Sequence, residues 1–126
     1  MDGEKMKQAI FVVAFVGVAA ACAAQGVINP TKAEYTVSAD HAQVTKYVIG
    51  YFIGNAASPV QSADLPVMAP DAQQKVVQPI NAIPLGFGVY TAKLKAVVGA
   101  VEGEWSEASN EFMRAPFPPT APTVKK

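Results

Sequence analysis

Few residues of this chain have side chains that commonly do chemistry. The sequence contains one histidine, His41, and one cysteine, Cys22. His41 directly follows Asp40, and neighbouring residues of an extended chain point to opposite sides, so these two are poorly placed as a catalytic pair. There is no second histidine for a transition-metal site and no later cysteine to act as a nucleophile beside a base. The sequence therefore predicts no catalytic residue, no metal site, no cofactor and no enzymatic activity, and it places His41 in a solvated turn.

The charged residues indicate an ordinary surface. Glu102, Glu104 and Glu107 could offer carboxylate oxygens to calcium, but they lack the aspartate and asparagine spacing of a dedicated calcium loop. Surface charge is the preferred interpretation. Ten basic residues balance ten acidic residues, and this balance argues against a nucleic-acid partner, which would require a basic face.

An uncharged, apolar stretch extends from Ala9 to Ala24 and follows Met6-Lys7-Gln8. A basic start, an apolar middle and an end of small residues are typical of a cleavable secretory signal. The stretch is shorter than the ~18 to 20 apolar residues that a membrane-crossing helix needs. The sequence therefore predicts a signal helix over residues 1–24, cleaved between residues 21 and 25, and an exported protein that is periplasmic, at the cell surface or extracellular.

Cys22 has two interpretations. Ala20-Ala21-Cys22 resembles the end of a bacterial lipobox, in which case Cys22 would carry lipid and anchor the chain to a membrane. Alternatively, Cys22 is a small apolar residue that is removed with the signal. In either case the membrane is reached only through the signal or the lipid. No cysteine follows residue 22, so the exported domain has no internal disulfide and must be stabilised by packing.

The remaining chain is predicted to be one all-β domain. A short lead-in over residues 25–32 precedes it, and clusters of β-branched and aromatic residues are then separated by Gly, Pro, Asn and Asp. The longest apolar strand is expected between Val44 and Ile53. One face carries Tyr47, Ile49, Tyr51 and Ile53, and the other carries Lys46, Val48, Gly50 and Phe52. Because both faces are mostly apolar, this strand should lie centrally in its sheet, and its second face should be either covered or a surface patch.

The clearest alternation lies between Val89 and Val98. Tyr90 and Leu94 fall on one face, which we expect to be buried, and Lys93 and Lys95 fall on the other. A turn at Gly99 to Gly103 should lead into a return strand from Trp105 to Arg114. Residues 115–126 contain four prolines, which cannot donate ladder hydrogen bonds, so they are predicted to form an extended tail outside the core.

Three segments resemble the fibronectin type III family: VIGYFI at 48–53, IPLGFGVY at 83–90 and GEWSEAS at 103–109. The resemblance covers residues 33–114 and implies an immunoglobulin-like sandwich of two antiparallel sheets. It also implies that Tyr90 is the corner tyrosine, whose hydroxyl bonds to upstream backbone. Three features depart from the family. The tryptophan usual in the second strand is absent, and the spacing before Tyr90 is about one residue longer than usual. A first strand has only residues 26–32, interrupted by Asn29-Pro30, so it is weak or missing. A general immunoglobulin-like sandwich is the alternative.

Five residues are candidates for partner binding. Val48 and Phe52 should share an outer face with Lys93 and Lys95 if their strands pair, and Trp105 is either an exposed anchor or a cap on the end of the sandwich. The predicted function is a non-catalytic extracytoplasmic binding or adhesion module for a protein or carbohydrate partner. The alternative is a structural subunit of a surface or extracellular assembly that self-associates through strand edges.

Overall fold

The computed structural model describes residues 13–16 and 26–126. Within these residues the chain is all-β, with no α-helix and one 3₁₀ turn at His41–Gln43, as the sequence predicts. The strands are β1 (Val13–Val16), β2 (Val27–Ile28), β3 (Lys32–Thr36), β4 (Lys46–Phe52), β5 (Gln61–Leu65), β6 (Lys75–Pro79), β7 (Gly88–Val98), β8 (Val101–Glu102) and β9 (Phe112–Arg114).

The strands form two sheets in a β-sandwich-like arrangement. The smaller sheet has the order β1-β3-β6, and the larger has the order β2-β9-β7-β4-β5, with β8 paired to the end of β7. Every pairing is antiparallel except that of β2 with β9, which is parallel. β6 lies at a sheet edge and ends at Pro79, as expected for a strand that contains proline.

The core lies between the sheets and is built around β4 and β7. Ile49 pairs with Leu94, and both side chains are fully buried. The predicted inward face is confirmed: Tyr47, Ile49, Tyr51, Tyr90 and Leu94 are all buried. Ile53 is the exception, because β4 ends at Phe52. There the chain turns at Gly54, whose φ is +58°, and leaves Ile53 53% exposed.

The segment predicted to be a signal helix is described only at Val13–Val16, and there it forms a strand rather than a helix. β1 lies antiparallel to β3, with Val13 opposite Tyr35 and Val16 opposite Lys32. Valine and phenylalanine favour extended backbone, and pairing with β3 gives that backbone a hydrogen-bonded neighbour, so tertiary pairing can override helix formation at these four residues. The rest of the predicted signal, its cleavage site and Cys22 lie outside the described residues.

The first strand predicted near residues 26–32 is short, as expected, but its neighbour differs from the usual sandwich pattern. β2 pairs with β9 of the larger sheet, and Asn29, with a φ of +50°, then turns the chain towards β3. The position beside β3 belongs instead to β1. The position beside β3 is therefore filled by residues of the predicted signal and not by β2.

Candidate functional site

The five candidate binding residues lie together on the outer face of the larger sheet. β4 and β7 are neighbours, and their register places Val48 opposite Lys95 and Phe52 opposite Thr91. The alternate residues Tyr47, Ile49 and Leu94 fill the core, so these side chains emerge on the opposite side. We call Val48, Phe52, Lys93, Lys95 and Trp105 the outer cluster.

Trp105 covers the middle of this face. A Cβ atom on Gly50 would come within 2.8 Å of the Trp105 ring, so only glycine leaves room for the indole. The Phe52 ring meets Trp105 edge-on, with 5.3 Å between ring centroids. Phe52 is 1% exposed, and Trp105 is partly buried. Trp105 therefore neither protrudes as a free anchor nor caps the end of the sandwich. It forms the cover of the second face of β4.

Two lysines complete the cover. The Lys95 ammonium lies 4.6 Å from the centroid of the Trp105 ring, and that of Lys93 lies 4.8 Å from the Phe52 centroid. Lys95 also pairs with Glu102 at 2.6 Å. The hydrogen bond and positive charge of Lys95 lower the pKa of the Glu102 carboxyl below its usual value. The lysine stems and the partly buried Trp105 ring thus form an apolar and cationic layer over the buried Phe52 ring.

The segment that holds Trp105 is fastened to β7 by two serines. Ser106 donates its backbone N–H to the Leu94 carbonyl at 2.7 Å, and its hydroxyl accepts the Leu94 N–H at 2.9 Å. Ser109 does the same for Ala92, at 2.8 and 2.9 Å. The two serines are three positions apart, whereas their partners Leu94 and Ala92 are two positions apart, a spacing that a regular strand pair does not have. The predicted return strand from Trp105 to Arg114 is wrong in this part, and only β9 continues as a strand.

Exposed apolar residues that the sequence analysis did not select extend the same face. Val89 pairs with Met113, and Met113 pairs with Ile28, so the three residues share the outer face of β7, β9 and β2. Val89 is 46% and Met113 is 42% exposed. The alternation of β7 could have revealed Val89, because it lies on the side opposite Tyr90. Met113 could be assigned to this face only from the register of β9 against β7.

Arg114 closes the end of these strands. It is 7% exposed and donates to the Asn29 side-chain oxygen at 3.1 Å, to the Ala115 carbonyl at 2.6 Å and to the Ile83 carbonyl at 3.4 Å. The rings of Phe87 and Phe117 lie 5.3 and 5.1 Å from its guanidinium carbon. Residues 116–126 are exposed and form no strand, and the Phe117 ring near their start lies against Arg114.

The remaining predicted residues have structural contacts. The Tyr90 hydroxyl donates to the Gly86 carbonyl at 2.7 Å, the upstream backbone bond that the family resemblance implies. His41 Nδ1 lies 2.8 Å from the Tyr47 hydroxyl, so the histidine contacts the end of the core rather than Asp40. Among residues 13–16 and 26–126, no three His, Cys, Asp or Glu side chains are grouped as metal ligands. The same residues include no helix long and apolar enough to cross a membrane.

Comparisons with protein families, with curated proteins and with solved structures give no match to this chain.

Proposed function

We propose that this chain is an exported, non-catalytic binding module of fibronectin type III type, and that the outer face of its larger sheet binds another protein. One observation carries the proposal. Val89 and Met113, which are 46% and 42% exposed, lie on the outer face of the larger sheet, where the partly buried Trp105 ring and the stems of Lys93 and Lys95 add further apolar surface. Continuous apolar surface bordered by lysine stems is typical of protein interaction sites.

The geometry of Trp105 supports a protein rather than a carbohydrate partner. Sugar rings commonly bind by stacking on an open aromatic face. The Lys95 ammonium lies over the Trp105 ring, Gly50 lies against the edge of that ring, and the Phe52 ring packs nearly perpendicular to it. A sugar would have to displace these contacts, whereas a protein partner could pack against the ring edges, the lysine stems and Met113 together.

Two further observations support the type of module and its location. The sheet order β1-β3-β6 with β5-β4-β7-β9, and the bond from Tyr90 to Gly86, agree with the fibronectin type III pattern. Export is supported by the sequence of residues 9–24 alone.

The experiment compares capture of secreted and surface proteins of the source cells by wild-type protein and by three variants. Met113→Glu and Lys93→Glu change the proposed face. Val77→Glu is the matched control, because Val77 lies on β6 of the other sheet and is 47% exposed. We expect a partner that binds wild type and V77E and is lost from M113E and K93E, with unchanged thermal stability in all variants. Equal capture by all four proteins, or binding to a glycan array alone, would contradict the proposal.

A further inference from the structure

The outer edge of β3 is covered by a segment that the proposed export would remove. β1 pairs with β3 over four residues, and in the described part of the chain β3 has only one other neighbour, β6, on its opposite side. The inference rests on the export part of the proposed function. Cleavage between residues 21 and 25 would detach β1 and leave the β3 edge without a partner.

The β3 edge is suited to receiving a strand. Ala33 and Tyr35 are buried at 0% and 1% exposure, so their backbone is held firmly in the sandwich, and Glu34 between them is only partly exposed. Once β1 is removed, this fixed, extended backbone would be a template for a further strand.

Within residues 26–126, no segment offers a good replacement for β1. β2 is already paired with β9, where Asn29 also donates to the Met113 carbonyl. The tail has prolines at positions 116, 118, 119 and 122, which lack the N–H groups that a ladder needs. A second processed copy would have lost the same segment.

We propose that the processed protein accepts a strand from a different polypeptide at the β3 edge. The occupant is an extended, uncharged segment with apolar residues opposite Tyr35 and Ala33, antiparallel to β3. Val13 and Phe15 occupy those register positions in the unprocessed chain. The apolar segment at the N-terminus therefore acts as a temporary cover, which keeps the edge from pairing before the protein leaves the cell.

The test begins with the full chain, in which a site for a specific protease is inserted between residues 20 and 26. After folding, the chain is cut and the N-terminal fragment is removed. Backbone hydrogen exchange is then measured in β3, with β4 as an internal reference. The probe is a synthetic peptide of residues 11–18 with solubilising lysines at both ends, and its control carries Ala14→Pro and Phe15→Pro.

Removal of the fragment should speed exchange in residues 32–36 by about tenfold or more relative to β4, and the peptide should restore protection while the proline control does not. A second measurement avoids dependence on the stability of the separated protein. The cut but unseparated complex should incorporate a fluorescent version of the native peptide and not of the proline peptide.

Unchanged exchange after removal, equal effects of both peptides, or a homodimer that excludes the native peptide would overturn the proposal. This outcome is separable from failure of the proposed function. The peptide experiment reports only on the β3 edge, whereas the mass of the protein recovered outside the cell reports on processing, and the M113E comparison reports on the outer face.

Discussion

Tyr35, Tyr47 and Tyr51, three of the four buried tyrosines, bring hydroxyl groups into or beside the core. The Tyr35 hydroxyl donates to Gln78 Oε1 at 2.7 Å, and Gln78 in turn donates to the Pro66 carbonyl. The Tyr47 hydroxyl accepts the Ser38 N–H and contacts His41. Burial disfavours the phenolate form and raises the pKa of all three tyrosines, Tyr35, Tyr47 and Tyr51. The core therefore depends on neutral phenols.

This dependence predicts alkaline unfolding. Burial raises the pKa of Tyr51 from 10.0 to about 12. Above pH 10 the unfolded chain loses the Tyr51 proton while the folded chain keeps it, so the contribution to stability is complete below pH 10 and is lost as the pH rises towards 12. Between pH 9 and 11.5, the wild-type protein should lose about 1 to 2 kcal/mol more unfolding free energy than Tyr51→Phe. Urea denaturation at the two pH values measures this difference. Val97→Ala, at a buried position whose cross-strand partner is Lys46, removes no ionising group and should leave the pH dependence unchanged.

The alternation of β7 gives a direct test of which side chains form the core. Leu94 is fully buried beside Ile49, whereas Lys93 points outward over the Phe52 ring. Leu94→Ala should lower the free energy of unfolding by about 2 to 5 kcal/mol, the usual range for a buried leucine. Lys93→Ala should lower it by less than about 1 kcal/mol, because it loses only one partly exposed cation–π contact. Similar losses in chemical denaturation would show that the face assignment is wrong.

At the level of elements, the segment from Glu104 to Glu111 pairs with β7 through serine side chains as well as through its backbone. Each of Ser106 and Ser109 accepts the N–H and donates to the carbonyl of one residue of β7, and both serines are buried. Buried backbone groups are costly when they have no partner. The serine hydroxyls therefore take the place of the carbonyl groups that a regular strand would supply.

Ser106→Ala should consequently leave the Leu94 N–H buried without an acceptor. We expect a loss of about 1 to 3 kcal/mol of unfolding free energy, faster hydrogen exchange at Leu94, and a change in Trp105 fluorescence because the adjacent residue moves. Ser38→Ala is the control, because the Ser38 hydroxyl accepts an exposed N–H of Asp40 and should cost little. Equal losses in the two variants would exclude this role for Ser106.

The sequence predicts regular elements better than the contacts between them. The alternation in β4 and β7 is enough to assign inward and outward faces, and hence to bring Val48, Phe52 and Lys95 together. The alternation does not reveal that Trp105 covers Gly50. This contact depends on the irregular spacing with which Ser106 and Ser109 pair with β7. The strand at Val13–Val16 also differs from its local pattern, because pairing with β3 is a tertiary effect.

At the scale of the whole molecule, Arg114 connects three parts of the chain that are distant in sequence. Its donors bond to Asn29 after β2, to Ile83 before β7 and to Ala115 at the start of the tail. A planar guanidinium can satisfy several acceptors at fixed angles, whereas the ammonium of lysine cannot reproduce this geometry. Arg114 therefore holds the two ends of the described domain together.

Replacing Arg114 should lower the stability of the protein even though the residue lies at the end of the last strand. Arg114→Lys should destabilise the protein by about 1 to 3 kcal/mol, because buried acceptors lose their donors. Lys46→Ala is the control, since its ion pair with Asp64 is exposed and should contribute less than about 1 kcal/mol. Thermal and urea unfolding measure both effects. Unchanged stability of Arg114→Lys would show that the three bonds are not made in solution.

The parallel pairing of β2 with β9 has a mechanical consequence. β2 is the strand that follows the predicted cleavage region, β9 is the last strand, and the two lie side by side in the same direction. Tension applied to the chain before residue 26 and after residue 114 would pull the two strands past each other lengthwise. Their hydrogen bonds, the Asn29 bond to Met113 and the Arg114 bonds would then be loaded together instead of opening one after another. A protein tethered between two surfaces through these points would resist stretching through this small pair of strands.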